Sequence, residues 1–146
     1  MKDKARVLGR VRFVLRDEKT GEVKRDFTTD NLITTVGLAF IASRMDGVTD
    51  TAMGFMAVGT GTTAANVADT TVETETGRVA LDSSTPSTNT VAYVATFPAG
   101  TATGALTEAG VLNAASSGDL LCHTVYTVIN KAAGDSLTIT WTVTVS

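Results

Sequence analysis

The stretch Ser136-Leu137-Thr138-Ile139-Thr140-Trp141-Thr142-Val143-Thr144-Val145 decides the fold. Large apolar side chains fall on the odd positions and hydroxyls on the even ones, which is the period of a strand with one face in a core and the other in water. The same alternation stands at the other end of the chain. Val7, Val11, Phe13 and Leu15 share one parity, and Arg6, Arg10, Arg12 and Arg16 share the other. Asp17 to Glu22 supplies a turn in which Gly21 is free to take positive φ, and Val23, Arg25 and Phe27 continue as a partner strand. Residues 6–28 therefore read as a β-hairpin with a cationic face.

Between these two ends the pattern changes once. After the polar run Thr28 to Asn31, which suits N-capping, the residues Ile33, Val36, Phe40, Ile41 and Met45 recur at a three-to-four spacing that ends near Gly47. This predicts one short α-helix within 31–47, with Gly37 and Ala39 allowing close approach of another element. Phe55 to Val58, Arg78 to Leu81, Val91 to Phe97, Leu106 to Asn113 and Leu120 to Ile129 read as further strands. Asp69 to Glu73 reads as one helical turn, and Asp82 to Asn89 as a polar surface loop. Six to eight strands spaced by roughly ten residues predict a mainly β chain, an antiparallel β-sandwich or barrel-like fold. It is expected as a single domain over 1–146, with a basic hairpin at 1–30, the helix at 31–47 and the β body at 48–146.

Composition agrees. In 146 residues the chain is 43% hydrophobic and 18% charged, with 2 Pro, which is enough apolar material for a core. Its 27 Thr, 19 Ala and 13 Gly, set against 5% aromatics, favour strands joined by tight turns over long helices. A lone Cys122 cannot close an intrachain disulfide, and with a single His it falls short of a zinc ligand set, so no metal and no cofactor is expected. The charged start Met1 to Arg6 and an apolar run limited to Val36 to Ala42 predict neither a signal segment nor a membrane span.

Several groups are candidates for chemistry. Gly59-Thr60-Gly61-Thr62-Thr63 has the composition of an anion-binding loop but lacks the lysine ending of a nucleotide loop, and a tight inter-strand connection is the favoured reading. Cys122 and His123 are adjacent, yet neighbours on a strand point to opposite faces and cannot act as a thiolate-imidazole pair. Cys122 shares its parity with Leu120, Tyr126 and Val128 and reads as core. His123 shares its parity with Leu121, Val125 and Ile129, on a face expected to be covered at a subunit contact. Glu73 and Glu75 could form an acid/base pair, but no aromatic platform for a sugar lies near them, so catalytic residues are expected to be absent. Glu108, at the start of a Gly-containing strand, is placed to accept backbone or arginine hydrogen bonds.

The arginine stripe is the most distinctive feature. Residues 1–25 hold nine Lys/Arg against four Asp/Glu, whereas residues 26–146 hold three against eleven. Without interleaved aromatics the stripe does not suit nucleic acid, and it is expected to meet acidic protein surface, in another copy or in a partner. Arg6, Arg10, Arg12, Arg16 and His123 are thus the expected protein-protein interface.

Four segments, taken in order, resemble a type of small structural protein of tailed bacteriophages. They are the hairpin running into Asp30-Asn31-Leu32-Ile33-Thr34-Thr35-Val36-Gly37; Ala57-Val58-Gly59-Thr60-Gly61-Thr62 with Asp69-Thr70-Thr71-Val72, Glu75 and Arg78; Leu106 to Leu112 with Gly118-Asp119-Leu120-Leu121; and Gly134 to Trp141. The resemblance implies a non-enzymatic virion subunit of the tail fibre, baseplate or an adaptor. A capsid decoration protein is the alternative, and a carbohydrate- or receptor-binding module the second. It further implies location in the virion and assembly as a homo-oligomer, a trimer by analogy, with other virion proteins and a host surface glycan as further partners.

Overall fold

The computed structural model describes residues 5–47 and 50–146; the run at 1–4, read above as free of a targeting signal, lies outside them. In chain order the elements are β1 (Val7–Asp17), β2 (Val23–Asp30), β3 (Leu32–Ile33), α1 (Thr35–Met45), β4 (Phe55–Gly59), β5 (Glu75–Ala80), β6 (Ser83–Ser87), β7 (Thr90–Phe97), β8 (Gly104–Leu112), β9 (Leu120–Lys131) and β10 (Asp135–Val145). The strands form two five-stranded antiparallel sheets, ordered β2-β1-β10-β7-β6 and β3-β9-β8-β4-β5. The chain is a mainly β sandwich with an N-terminal hairpin and one short helix among the described residues. Among the described residues, no helix is long and apolar enough to cross a membrane.

The two most regular stretches of sequence meet at the centre of the first sheet. β1 and β10 pair along their whole length, with Val11 opposite Trp141 and Phe13 opposite Ile139, so that both apolar parities face inward together. Trp141 lies opposite Tyr93 of β7 on its other side. Across the sandwich these residues meet Met56, Leu106 and Ile129, all without solvent exposure. Phe13 stacks on Phe27 at 5.0 Å and tilts against Tyr126 at 4.3 Å, tying the hairpin to the opposite sheet. Each such buried side chain contributes roughly 1.5–3 kcal/mol, which is why strand pattern rather than helix propensity governs this fold.

The helix is shorter than its sequence pattern. Ile33 belongs to β3, opposite Cys122 of β9, and the helix starts after Thr34. Thr34 Oγ1 accepts from the Gly37 amide at 2.8 Å and donates to the Leu120 carbonyl at 2.6 Å, so the cap is Thr34 and not the Thr28 to Asn31 run. A Cβ at Gly37 would collide with the Leu121 carbonyl, and glycine is what lets α1 lie directly on β9. The polar stretch expected as a loop after Asp82 forms β6, an exposed edge strand in which Pro86 is tolerated because edge strands leave half their amides unpaired. Asp69 to Glu73 is irregular, with a bend at Thr71, and not a helical turn.

Register shifts between Leu106 and Glu108 and between Val111 and Leu112 alter which parity of β9 faces the core. Ile129 joins Cys122 and Tyr126 in the main core rather than sharing the face of His123. Leu120 packs outside the sheet with Ala57, Val72 and Leu112, and Val128 is at the surface. The outward face of this sheet is thereby covered by the segment 60–74, whereas Phe40 and Ile41 of α1 pack into the core between the sheets.

Candidate active site

Within the apolar run Leu106 to Leu112 stands one carboxylate, Glu108, with no solvent exposure. A buried charge is tolerable only when it is fully hydrogen-bonded, and here the neighbouring segment supplies the donors. The amides of Gly61 (2.7 Å) and Thr74 (2.7 Å) donate to Oε2, and that of Glu73 (2.8 Å) donates to Oε1. The glycine-rich stretch at 59–61 does cradle an anion, but the anion is the protein's own Glu108. Gly59 and Gly61 are required because a Cβ on either would run into this carboxylate, and at Gly59 also into the Thr74 carbonyl. Thr107 Oγ1 completes the clasp by donating to the Gly61 carbonyl at 2.7 Å.

His123, opposite Gly110 on β9, points outward onto the same group. Its Nε2 lies 2.9 Å from Glu108 Oε1 and its Nδ1 lies 2.7 Å from Asp69 Oδ2. Carboxylates only accept, so the imidazole donates through whichever ring nitrogen bears a proton. Burial pushes the Glu108 carboxyl upward, but the three amides and His123 outweigh it and hold the group below its ordinary range. Asp69 is held low in the same way, with its burial outweighed by the Asn66 amide and His123. Tyr126 Oη donates to the Glu108 carbonyl at 3.2 Å, and burial raises its hydroxyl.

Two concavities open beside His123. One, of about 400 Å³, is lined by Thr63, Asp69, Thr70, Thr71 and Glu73; the other, of about 370 Å³, by Asp30, Leu32, Thr62 and Thr124. The strap 62–65 runs between them, fixed by Glu73, which accepts from Thr63 N at 3.1 Å and from Thr63 Oγ1 at 3.0 Å. Glu73 and Glu75 do not act as a pair, because Glu75 takes Arg78 at 2.6 Å.

Cys122 faces the opposite way. It is fully buried between the sheets, and burial pushes its thiol well up, so it presents no thiolate to His123. Of the residues expected at an interface, Arg6, Arg10, Arg12 and Arg16 lie exposed along β1 and its lead-in, and Arg12 makes a two-pronged pair with Asp26 (3.0 and 2.8 Å). His123 is apart from them, 2% exposed under the chain's own 60–74 segment. Asp69 as its partner was not legible in the sequence. Glu108 could have been found as the one charge inside an apolar strand.

The model of the pyroglutamyl peptidase family matches residues 38–142, which hold Asp69, Glu108, Cys122 and His123. The chain belongs to that family. No curated protein and no solved structure matches it. The family match overturns the expectation of a non-enzymatic bacteriophage subunit. Tail fibre, baseplate, capsid decoration protein, carbohydrate- or receptor-binding module and virion location fall with it. The physical reason is that the four segments behind the resemblance are turns and strand starts, which recur wherever Thr-rich strands build a sandwich. They report local structure and not role.

Proposed function

We propose that the chain is a hydrolase acting on peptides that begin with a pyroglutamyl residue, and that it receives that residue beside His123. The observation that carries this reading is the family match across residues 38–142. The geometry supports the location. Among the described residues, the concavity of about 400 Å³ gathers hydroxyls from Thr63, Thr70 and Thr71 and carboxylates from Asp69 and Glu73 around the imidazole. A five-membered lactam offers one N–H for a carboxylate and one carbonyl for a hydroxyl, and it is small enough for such a space.

The net reaction adds water across the amide bond that follows the pyroglutamyl residue. The carbonyl carbon gains hydroxyl, the C–N bond breaks and the leaving nitrogen gains a proton. Asp69, held ionised and lining the concavity, is the group placed to take a proton from the attacking water and pass it to that nitrogen, with His123, bonded to Asp69 and Glu108 through its two nitrogens, orienting it. Cysteine chemistry is the habit of the family, but the burial of Cys122 on the far side of β9 does not support it as the nucleophile. The test is fluorophore release from pyroglutamyl-7-amido-4-methylcoumarin beside the prolyl analogue, which lacks the lactam carbonyl. Release from the first alone is expected; release from neither overturns the proposal.

A further inference from the structure

The two sheets are finished differently. The outward face of β3-β9-β8-β4-β5 is covered by the 60–74 segment through Val72, whereas that of β2-β1-β10-β7-β6 carries no covering element among the described residues. Thr138, Thr140, Thr142 and Thr144 of β10 and Ala92 and Val94 of β7 form this bare face, all half-buried and all short. Thr140, Thr142 and Thr144, with Leu8 and the stems of Arg10 and Arg12, line a groove of about 450 Å³ between β1 and β10. Leu8 is 53% exposed on its margin.

Charge is arranged across this face. Arg16 stands on one side, opposite Ser136, and forms no ion pair among the described residues. Asp82 stands on the other side, accepting from Thr96 Oγ1 at 2.6 Å. Thr96 pairs with Thr138 and Ser136 lies two residues from it, so Arg16 and Asp82 occupy the same end of the sheet with β10 and β7 between them. We propose that this face is the contact between two copies of the chain, related by a two-fold axis running between β10 and β7 and parallel to them. That operation sets Arg16 of each copy over Asp82 of the other and lays threonine methyls against Ala92 and Val94.

The face is large enough. Five strands about 4.8 Å apart and about 8 residues long at roughly 3.3 Å each present about 600 Å² per copy. Two copies would bury about 1,200 Å², the lower bound of standard interfaces. The same chain supplies both charges, since residues 26–146 carry eleven Asp/Glu against three Lys/Arg while residues 1–25 are basic. A two-fold pair differs from the trimer that the phage resemblance implied, and the inference is independent of the peptidase reading.

The test is molar mass by sedimentation equilibrium on the full chain at several concentrations and at low and high salt. Wild type, Arg16→Glu, Asp82→Arg, the double swap and Thr142→Arg would be compared, with circular dichroism verifying the fold of each. A dimer weakened by salt is expected, with each single charge change loosening it about tenfold or more, the double swap recovering it and Thr142→Arg abolishing it. A monomer at every concentration, a trimer, or a dimer indifferent to these changes would overturn the proposal.

Discussion

His123 Nε2 lies 2.9 Å from Glu108 Oε1, and the two side chains are 2% and 0% exposed. This contact joins β9 to β8 on the outward face of the sheet, beneath a segment whose amides also close on Glu108. The carboxylate is therefore the anchor of the 60–74 segment as well as a partner of the imidazole. Position and chemistry at this site rest on one buried charge.

Removing that charge should be costly. Glu108→Ala leaves the amides of Gly61, Glu73 and Thr74 without an acceptor and deprives His123 of a partner. Losing several charge-assisted bonds to one buried group destabilises by about 3–5 kcal/mol. Urea unfolding should show the free energy of unfolding falling by that amount and the midpoint falling in proportion, with Glu108→Gln in between because its amide keeps one accepting oxygen.

Stability should also fall in acid. Glu108 and Asp69 are both held below the ordinary carboxylate range in the fold. Groups with lowered folded values contribute stability that is complete above their unfolded values, about 4, and is lost as pH falls through the folded ones. The melting temperature should hold steady from pH 7 to 5 and decline below about pH 4. Glu108→Gln should start lower and decline less steeply.

Cys122 should be silent toward thiol reagents. It is fully buried, its thiol is raised by burial, and the thiolate is the reactive form. A chromogenic disulfide reagent should find no reactive thiol in the native protein and one per chain in denaturant. Rapid labelling of the native state would show that β9 opens.

Helix α1 should be sensitive to a single methyl group. Gly37→Ala would press a Cβ into the Leu121 carbonyl, which is backbone and cannot turn aside. Alanine gains about 1 kcal/mol in helix propensity. Overpacking costs about 1–3 kcal/mol, so the net effect should be destabilising. Thermal unfolding measures the sign; a more stable variant would mean that α1 can lift from β9.

Much of the architecture was legible because it rests on period-two patterning. Leu137, Ile139, Trp141 and Val143 face inward as their spacing requires, and so do Val11, Phe13 and Leu15 of the partner strand. The helix start was misplaced because Ile33 fits a helical spacing but pairs with Cys122 in a sheet. The parity of β9 was misread before Cys122 and beyond Tyr126 because the two register shifts leave no mark in a single sequence. The site was the least legible part. Asp69 and His123 lie 54 residues apart, and only the folding of the 60–74 segment over the sheet brings them to 2.7 Å. The glycines at 59 and 61 were read as a tight connection in preference to an anion loop, because the carboxylate they meet stands 47 residues beyond Gly61, inside another strand.

The most direct test of this account compares turnover of pyroglutamyl-7-amido-4-methylcoumarin by the full-length wild type, His123→Ala and Cys122→Ala, each shown to be folded. Release by wild type, retention in Cys122→Ala and at least a hundredfold loss in His123→Ala are expected, the scale of lost acid-base catalysis. Absence of release by wild type, or its loss in a folded Cys122→Ala with His123→Ala unaffected, would contradict it.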